Sequence, residues 1–362
     1  MERKLKVAII GGGGIFGAHA PGYTRLADLC EVVAVADPNE ACHTRIRRHL
    51  GDSVPIYKDY DEVLALPGLD AVDILLPHNL HMDAAVKAAG KGLHVLCEKV
   101  MARNVYECRA MIDACDKAGV LLVICHDRRY AGDWVALKNI VDSGELGEIL
   151  FIKMEHNQDV CPPEGSWIRT FDGIGGGAVM SCLCHQIDAM RWYFGEVDKV
   201  NCMSRVLPSR MEGECIGVIN ATMKSGALAQ ININWYTQAY SFMRPVENGL
   251  PYESIHVTGT RGDAYFIHGK GTFFKKNSHL FPNVKDEFVR VDTEQTISGH
   301  QKCVEEFVKA ARGESANILT YGKDAIKTVE IAEAAYLSAD NNTVVTLPVT
   351  PVAWDQRYPG RT

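Results

Sequence analysis

Leu5-Lys-Val-Ala-Ile-Ile-Gly-Gly-Gly-Gly-Ile-Phe-Gly17 is the stretch on which the reading of this chain turns. Val7 to Ile10 reads as a buried strand, and the glycines after it contain G-x-G-x-x-G at Gly12, Gly14 and Gly17 before a helical pattern begins. Each glycine has a physical reason: a tight turn, close backbone approach to a pyrophosphate, and packing of helix on strand where the helix N-terminus receives the anion. Asp37 ends the second apolar run 20 residues after Gly17, where a carboxylate would accept hydrogen bonds from adenosine ribose hydroxyls. An acidic residue there repels a 2′-phosphate, so NAD is favoured over NADP, although Arg45, Arg47 and Arg48 follow closely. The candidate cofactor-binding residues of this corner are Gly12, Gly13, Gly14, Ile15, Phe16, Gly17 and Asp37.

Outward from this corner, apolar runs at Val32–Ala36, Val72–Leu76, His94–Leu96 and Val120–Ile124 alternate with helical patterns. Continuous apolar strands separated by helices predict a doubly wound parallel sheet covered on both faces. Beyond Gly144-Glu-Leu-Gly147 the texture changes to strand-like runs at Ile149–His156, Val197–Arg205, Cys215–Met223, Ala227–Tyr236, Glu253–Thr258 and Asp263–His268. Their short Gly-containing turns predict an antiparallel sheet, crossed by one helix from Cys182 to Phe194. The fold class is therefore α/β: an N-terminal Rossmann domain at 1–126, then an α+β domain at 127–349 with a large, mainly antiparallel sheet, and a tail at 350–362. Two late helices, around Val304–Ala311 and Ala325–Tyr336, are free to pack back on the first domain.

Composition narrows the function. An apolar share of 47% with 23% charged residues is that of a globular chain, and no stretch approaches a membrane span. The N-terminus runs straight into strand pattern with no signal-peptide stretch, which predicts a cytoplasmic protein whose twelve cysteines are reduced thiols. A net charge of −7 without like-charge blocks argues against nucleic acid and anionic lipid and for a small-molecule partner.

Five further segments carry a resemblance: Pro77-His-Asn-Leu-His81, Val95-Leu-Cys-Glu-Lys-Val100, Asp127-Arg-Arg-Tyr130, Gly144-Glu-Leu-Gly147 and Gly175-Gly-Gly-Ala-Val-Met-Ser-Cys-Leu-Cys-His-Gln-Ile-Asp188. With the glycine turn, and in this order from Leu5 to about Val349, the chain resembles the Gfo/Idh/MocA oxidoreductases, the relatives of glucose-fructose oxidoreductase and inositol dehydrogenase. The resemblance implies that Lys99, in the place of the lysine of an E-K-P segment, sits by the nicotinamide and the reacting hydroxyl. Glu98 matches as well, and Val100 replaces the proline, so a differently shaped loop is expected. It also implies that Pro77, Asn79 and His81 meet the ribose and nicotinamide, and that Arg128, Trp167 and Arg169 lie near the cofactor. The family's D-x-x-x-H pair falls on Ser181 and His185, so the histidine is kept and the aspartate is lost.

Removing hydride from a secondary alcohol requires a group that takes the hydroxyl proton, and histidine exchanges protons near neutrality. His185 is the expected general base and Lys99 the donor that stabilises developing alkoxide charge. Ser181 cannot hold a carboxylate's charge beside an imidazolium, so Glu155, His156 or Asp159 are candidates for the missing polar contact. Tyr236, with Trp235 and Tyr240, is a candidate platform for a sugar face. Cys161, Cys182, Cys184 and His185 include ligand types zinc prefers, but the chain has no C-x-x-C and no metal is expected. The resemblance implies a sugar, cyclitol or glycoside as substrate, with C3 of a glucoside included, and a homodimer or homotetramer formed through the second sheet. Two other readings stay open: redox-neutral glycoside cleavage through a 3-keto intermediate with bound, recycled NAD, and a non-catalytic NAD-binding sensor. Met243, Arg244 and Asn248 fall in a loop that the sequence does not place.

Overall fold

The structure, a computed structural model, describes residues 3–237, 252–277, 280, 287–293 and 295–360. Tyr240, Met243, Arg244 and Asn248 lie outside the described residues. In chain order the first elements are β1 (Leu5–Ile10), α1 (Phe16–Arg25), β2 (Cys30–Ala36), α2 (His43–Leu50), β3 (Ile56–Tyr57), α3 (Tyr60–Leu64), β4 (Ala71–Ile74), α4 (His78–Gly90), β5 (His94–Glu98), α5 (Val105–Ala118) and β6 (Leu122–Cys125). There follow α6 (Gly132–Asp142), β7 (Ile149–Asn157), α7 (Phe171–Ile174), α8 (Ala178–Ser181), α9 (Cys184–Phe194), β8 (Val197–Val206), β9 (Glu214–Met223) and β10 (Leu228–Asn234). The last are β11 (Tyr252–Gly259), β12 (Gly262–Ile267), β13 (Gly271–Lys276), β14 (Val289–Val291), α10 (Gly299–Ala311), α11 (Gly322–Asn341), β15 (Val345–Thr346) and α12 (Trp354–Arg357).

Two compact units emerge, and neither is contiguous in sequence. The first holds residues 1–130, 296–327 and 352–357; the second holds 131–295, 328–351 and 358–362. In the first, six strands run in the order β3-β2-β1-β4-β5-β6, all parallel, which is the Rossmann arrangement with its crossover beside β1. Ile9, Ile10, Ile74 and Leu96 are fully buried because helices cover both faces. Local signals place those helices: Asn104 caps α5 through the Glu107 N–H, and Gly119 closes it in the left-handed region at φ 68°. The late helix α10 packs on α1, where a Cβ on Gly22 would meet Val304 carbons at 3.0 Å, and its Phe307 is fully buried.

The second unit is built on nine strands in the order β14-β13-β12-β11-β7-β10-β9-β8-β15. Every pairing is antiparallel except β10 with β7, where Ile231 lies opposite Met154 in parallel. The short-turn pattern did not foretell that exception. It arises because the helical segment after β7 carries the chain away, so that β8, β9 and β10 return as a meander against β7's free edge. From Phe151 onward β7 alternates: Ile152, Met154 and His156 are buried on the face that meets α9, whereas Phe151 and, on β10, Leu228 lie exposed on the other face. The helix expected from Cys182 to Phe194 is α9, which begins two residues later at Cys184 and follows a short separate helix, α8. No helix among the described residues is long and apolar enough to cross a membrane.

Candidate functional site

The glycine turn lies at the carboxyl edge of the parallel sheet, and its crowding is uneven. Gly11 adopts φ 108°, and a Cβ there would fall 2.3 Å from the Leu75 carbonyl oxygen. A Cβ on Gly12 would meet Ile46 at 2.7 Å, while Gly13 and Gly14 have no atom within 4 Å of an added Cβ. That open shelf is where a backbone can be approached closely by a ligand. Gly17 departs from the expected packing role: its Cβ would meet only His49, at an ordinary 3.6 Å. The tight fit has moved to Gly11 and Gly12.

Asp37 binds the turn rather than pointing away from it. Its Oδ2 accepts the Gly12 N–H at 2.6 Å, its Oδ1 accepts the Asn39 N–H at 2.8 Å, and Arg45 donates to the Gly12 carbonyl at 2.9 Å. The carboxylate thus stands beside the shelf and puts negative charge where an adenosine ribose, but not a 2′-phosphate, is tolerated. Ile15 precedes α1, whose first turn has neither an acidic residue nor a side-chain cap. Phe16 is fully buried in the core, so it has only its backbone to offer, and its N–H donates to the Gly13 carbonyl at 3.2 Å. These residues fit a dinucleotide.

On the same edge, Pro77 precedes α4 and Asn79 is half-buried in its first turn. His81 differs from its expected place at the nicotinamide. Its ring is fully buried, with Nδ1 2.9 Å from the Val100 carbonyl oxygen and Nε2 2.8 Å from that of Leu76. Burial pushes the ring below its ordinary pKa, and a neutral imidazole can donate to only one of those carbonyls. His81 is a strut under the β5 loop. Lys99 is half-buried at the end of β5, and the Lys99–Val100 peptide is cis.

Beneath Lys99 lies a charged group that the sequence reading missed. His19 of α1 is fully buried, with Nδ1 2.9 Å from Asp73 Oδ2 and Nε2 2.9 Å from Glu98 Oε1. Tyr23 donates to the same Asp73 oxygen at 3.0 Å, and Glu98 Oε2 accepts the Lys99 N–H at 3.2 Å. Burial alone would raise the Glu98 pKa, but the hydrogen bond and charge of His19, with help from His300 and Lys99, bring it down to about 2. Burial would lower His19, yet the two carboxylates outweigh it and hold the ring well above its usual value. Asp73, set inside an otherwise apolar β4, was the available signal, since a charge buried there demands a partner. His300 Nδ1 lies 3.5 Å from Asp127, whose other neighbour is Arg128 at 2.6 Å.

In the second unit, His185 and Ser181 are both buried, on α9 and at the end of α8. The Ser181 carbonyl accepts the Cys184 thiol at 3.2 Å. The glycine run before them is held by a buried pair: Tyr336 accepts the N–H groups of Gly177 and Met180 at 3.0 and 3.2 Å and donates to Glu214 at 3.0 Å. Glu214 in turn accepts the Val179 N–H at 2.8 Å. With burial dominant and only neutral donors to offset it, its carboxyl is pushed up to about 7. Sequence gave no sign of this pairing, because 122 residues separate Glu214 from Tyr336.

The three candidates for the missing polar contact separate by strand alternation. His156 lies on the face of β7 that meets α9, where Glu253 Oε1 stands 3.4 Å from its Nδ1 and accepts the Gln186 side chain at 3.0 Å. Glu155 lies on the opposite face, beside Lys153 at 2.9 Å and Ser254 at 3.3 Å. Asp159 is exposed and pairs with Arg210 at 3.0 Å. That arginine also covers the ring of Tyr236, which is 55% exposed, whereas Trp235 is buried. Trp167 and Arg169 are half-buried in a short helical turn, and the Arg169 guanidinium donates to the Pro162 and Ser209 carbonyls at 3.5 and 3.4 Å.

Comparison with known proteins agrees with this architecture. Residues 5–126 match the profile described as "Oxidoreductase family, NAD-binding Rossmann fold", and residues 134–265 that of the "GFO/IDH/MocA C-terminal domain". Among relatives, the chain is 26% identical over 341 residues to the rhizopine catabolism protein MocA of Rhizobium meliloti, covering 94% of this chain and 97% of that one. It is 28% identical over 248 residues to myo-inositol 2-dehydrogenase of Thermotoga maritima, covering 67% and 72%. Levoglucosan dehydrogenase, solved with NADH and levoglucosan, has the same fold, with a TM-score of 0.82 at 22% identity over 96% of this chain and 100% of that one. With its open glycine shelf, its two matched segments and a relative aligned along nearly all of its length, the chain belongs to the Gfo/Idh/MocA family of NAD(P)-dependent oxidoreductases.

Proposed function

We propose that this protein oxidises a secondary hydroxyl of a sugar, cyclitol or glycoside, a glucoside oxidised at C3 falling within that class. The observation that carries the reading is that Lys99 stands at the carboxyl end of β5, on the same sheet edge as the open shelf of Gly13 and Gly14. Bound NAD supplies the hydride acceptor. Lys99 donates a hydrogen bond to the substrate oxygen and stabilises the negative charge that grows there as its proton leaves. His185 receives that proton. Gly12, Asp37 and the first turn of α1 orient the nucleotide. The names of the relatives, which include an inositol dehydrogenase and a levoglucosan dehydrogenase, support a polyhydroxylated ring as substrate.

Self-association through the open face of the second sheet belongs to the same proposal. Phe151, Leu228 and Val344 are exposed beside a surface hollow there, and Gln230 and Asn220 are joined across it by a side-chain hydrogen bond of 3.2 Å. A homodimer or homotetramer would cover this face.

The test is a panel of sugars, cyclitols and intact glycosides with NAD⁺, following nicotinamide absorbance and product mass together. NADH formed in step with a product lighter by two hydrogens is the expected result. A cleaved product without accumulated NADH would replace this reading with redox-neutral glycoside cleavage, and NAD binding without any reaction would leave a sensor.

A further inference from the structure

Asp73 and Glu98 can only accept hydrogen bonds when ionised, and both nitrogens of His19 lie 2.9 Å from one of their oxygens. Both nitrogens must therefore donate, which requires the doubly protonated imidazolium. His19 and Asp73 are fully buried and the Glu98 side chain is 6% exposed, so the charges are little screened by water. The bridge ties α1 to β4 and β5 at once. Its last link is the Lys99 amide, which donates to Glu98 Oε2 at 3.2 Å.

We propose that His19 is a positioning residue for Lys99: its bridging imidazolium fixes the Glu98 carboxylate, and that carboxylate fixes the backbone from which the Lys99 side chain springs. The inference rests on the reading that Lys99 serves the substrate hydroxyl. Other ionisable groups face the bridge. Tyr23 donates to Asp73 from α1, His300 of α10 approaches Glu98 at 3.9 Å, and the Cys125 thiol of β6 lies close by. The free thiol of Cys303 on α10 lies beside that of Cys125, and Asp127 and Arg128 lie beyond His300. His19, Glu98, Cys125 and His300 place their donor atoms within 4.8 Å of one another, a spacing that would also suit a metal ion. The bridge is preferred because the 2.9 Å contact of Nε2 with Glu98 is a finished charge-assisted hydrogen bond.

The test uses the full chain with NAD⁺ bound and compares wild type with His19→Gln, Glu98→Gln and the double variant. Nitrogen-15 spectra of the histidine side chains, with His19 assigned by its loss in the variant, should show a doubly protonated ring at neutral pH. Hydrogen exchange should rise in His19→Gln over the segment around Lys99 while the rest of the parallel sheet keeps its protection. In turnover, each single variant should lose about ten- to a hundredfold in kcat, the double variant no more than either single, and NAD⁺ affinity should change by less than about threefold. A neutral ring, a stoichiometric metal in the purified protein, faster exchange across the whole sheet, or wild-type kcat in His19→Gln would each overturn the proposal. Should His19→Gln fail to fold, Glu98→Gln reads the same link from its other end. If the protein oxidises no member of the panel, the dehydrogenase reading falls alone, because the spectra and the exchange still decide whether His19 holds the Lys99 segment.

Discussion

Two glutamates, both buried and both at the end of a strand, end at opposite extremes. Glu98 in the first unit faces the His19 imidazolium and is held down to about 2, while Glu214 in the second faces a tyrosine hydroxyl and a backbone amide and is pushed up to about 7. Burial is common to both, so what separates them is the charge of the partner. The difference teaches that the first unit stores a fixed ionic group next to its catalytic candidate. The second instead holds its glycine run with a carboxyl group that changes charge in the neutral range.

The comparison is broken most severely by deleting the cation. His19→Ala leaves the buried Asp73 and Glu98 carboxylates without the cation that bridges them, and a loss of about 3–5 kcal/mol is expected in chemical denaturation at pH 7. A change below about 1 kcal/mol would mean that the bridge carries no net stability. Lys99→Ala should leave the bridge standing and lower kcat by about 10²–10³-fold, with NAD⁺ binding largely intact. Lost NAD⁺ affinity would make Lys99 structural instead.

The two glutamates should also give pH dependences of opposite sign. The depressed Glu98 contributes stability above the ordinary carboxylate range, and loses it as pH falls toward about 2. The raised Glu214 binds a proton more tightly in the folded state, so its contribution is present below its ordinary 4.5 and is lost as pH rises to about 7. The whole effect of Glu214 is at most about 3 kcal/mol. Glu214→Gln, which keeps an acceptor for Tyr336, should flatten the stability curve between those limits, as read by urea midpoints across pH. An unchanged slope would show that Glu214 is ionised throughout. The smallest effect is expected from Ser181→Asp, which restores a carboxylate four residues before His185 and should alter substrate preference more than folding. An identical substrate profile would make the serine incidental.

Legibility followed the same divide. The parallel sheet could be read from apolar runs such as Val7–Ile10 and Val32–Ala36, because a strand covered on both faces advertises itself in consecutive residues. The two-residue strands β3 and β15 could not, since each is an edge segment fixed by its neighbour and not by its own pattern. The parallel pairing of β7 with β10 escaped for a related reason: strand order is decided by what covers an edge, and local spacing does not report it. At the site, Gly12, Gly14, Asp37 and Lys99 could be nominated from sequence because motif spacing keeps them in local context. His19 and Glu98 are 79 positions apart, and a pairing across that separation appears only in three dimensions. The motif position of His81 resembles that of a cofactor contact, and only three dimensions show that its ring nitrogens lie against the backbone at Leu76 and Val100.

The most direct test of the central claim follows deuterium from the carbinol carbon of an oxidised sugar or cyclitol. The account predicts that the label arrives on the nicotinamide, one deuterium in NADH for each ketone formed, and that Lys99→Ala slows this transfer. Label retained in the product, or released to water while the substrate is converted, would contradict it.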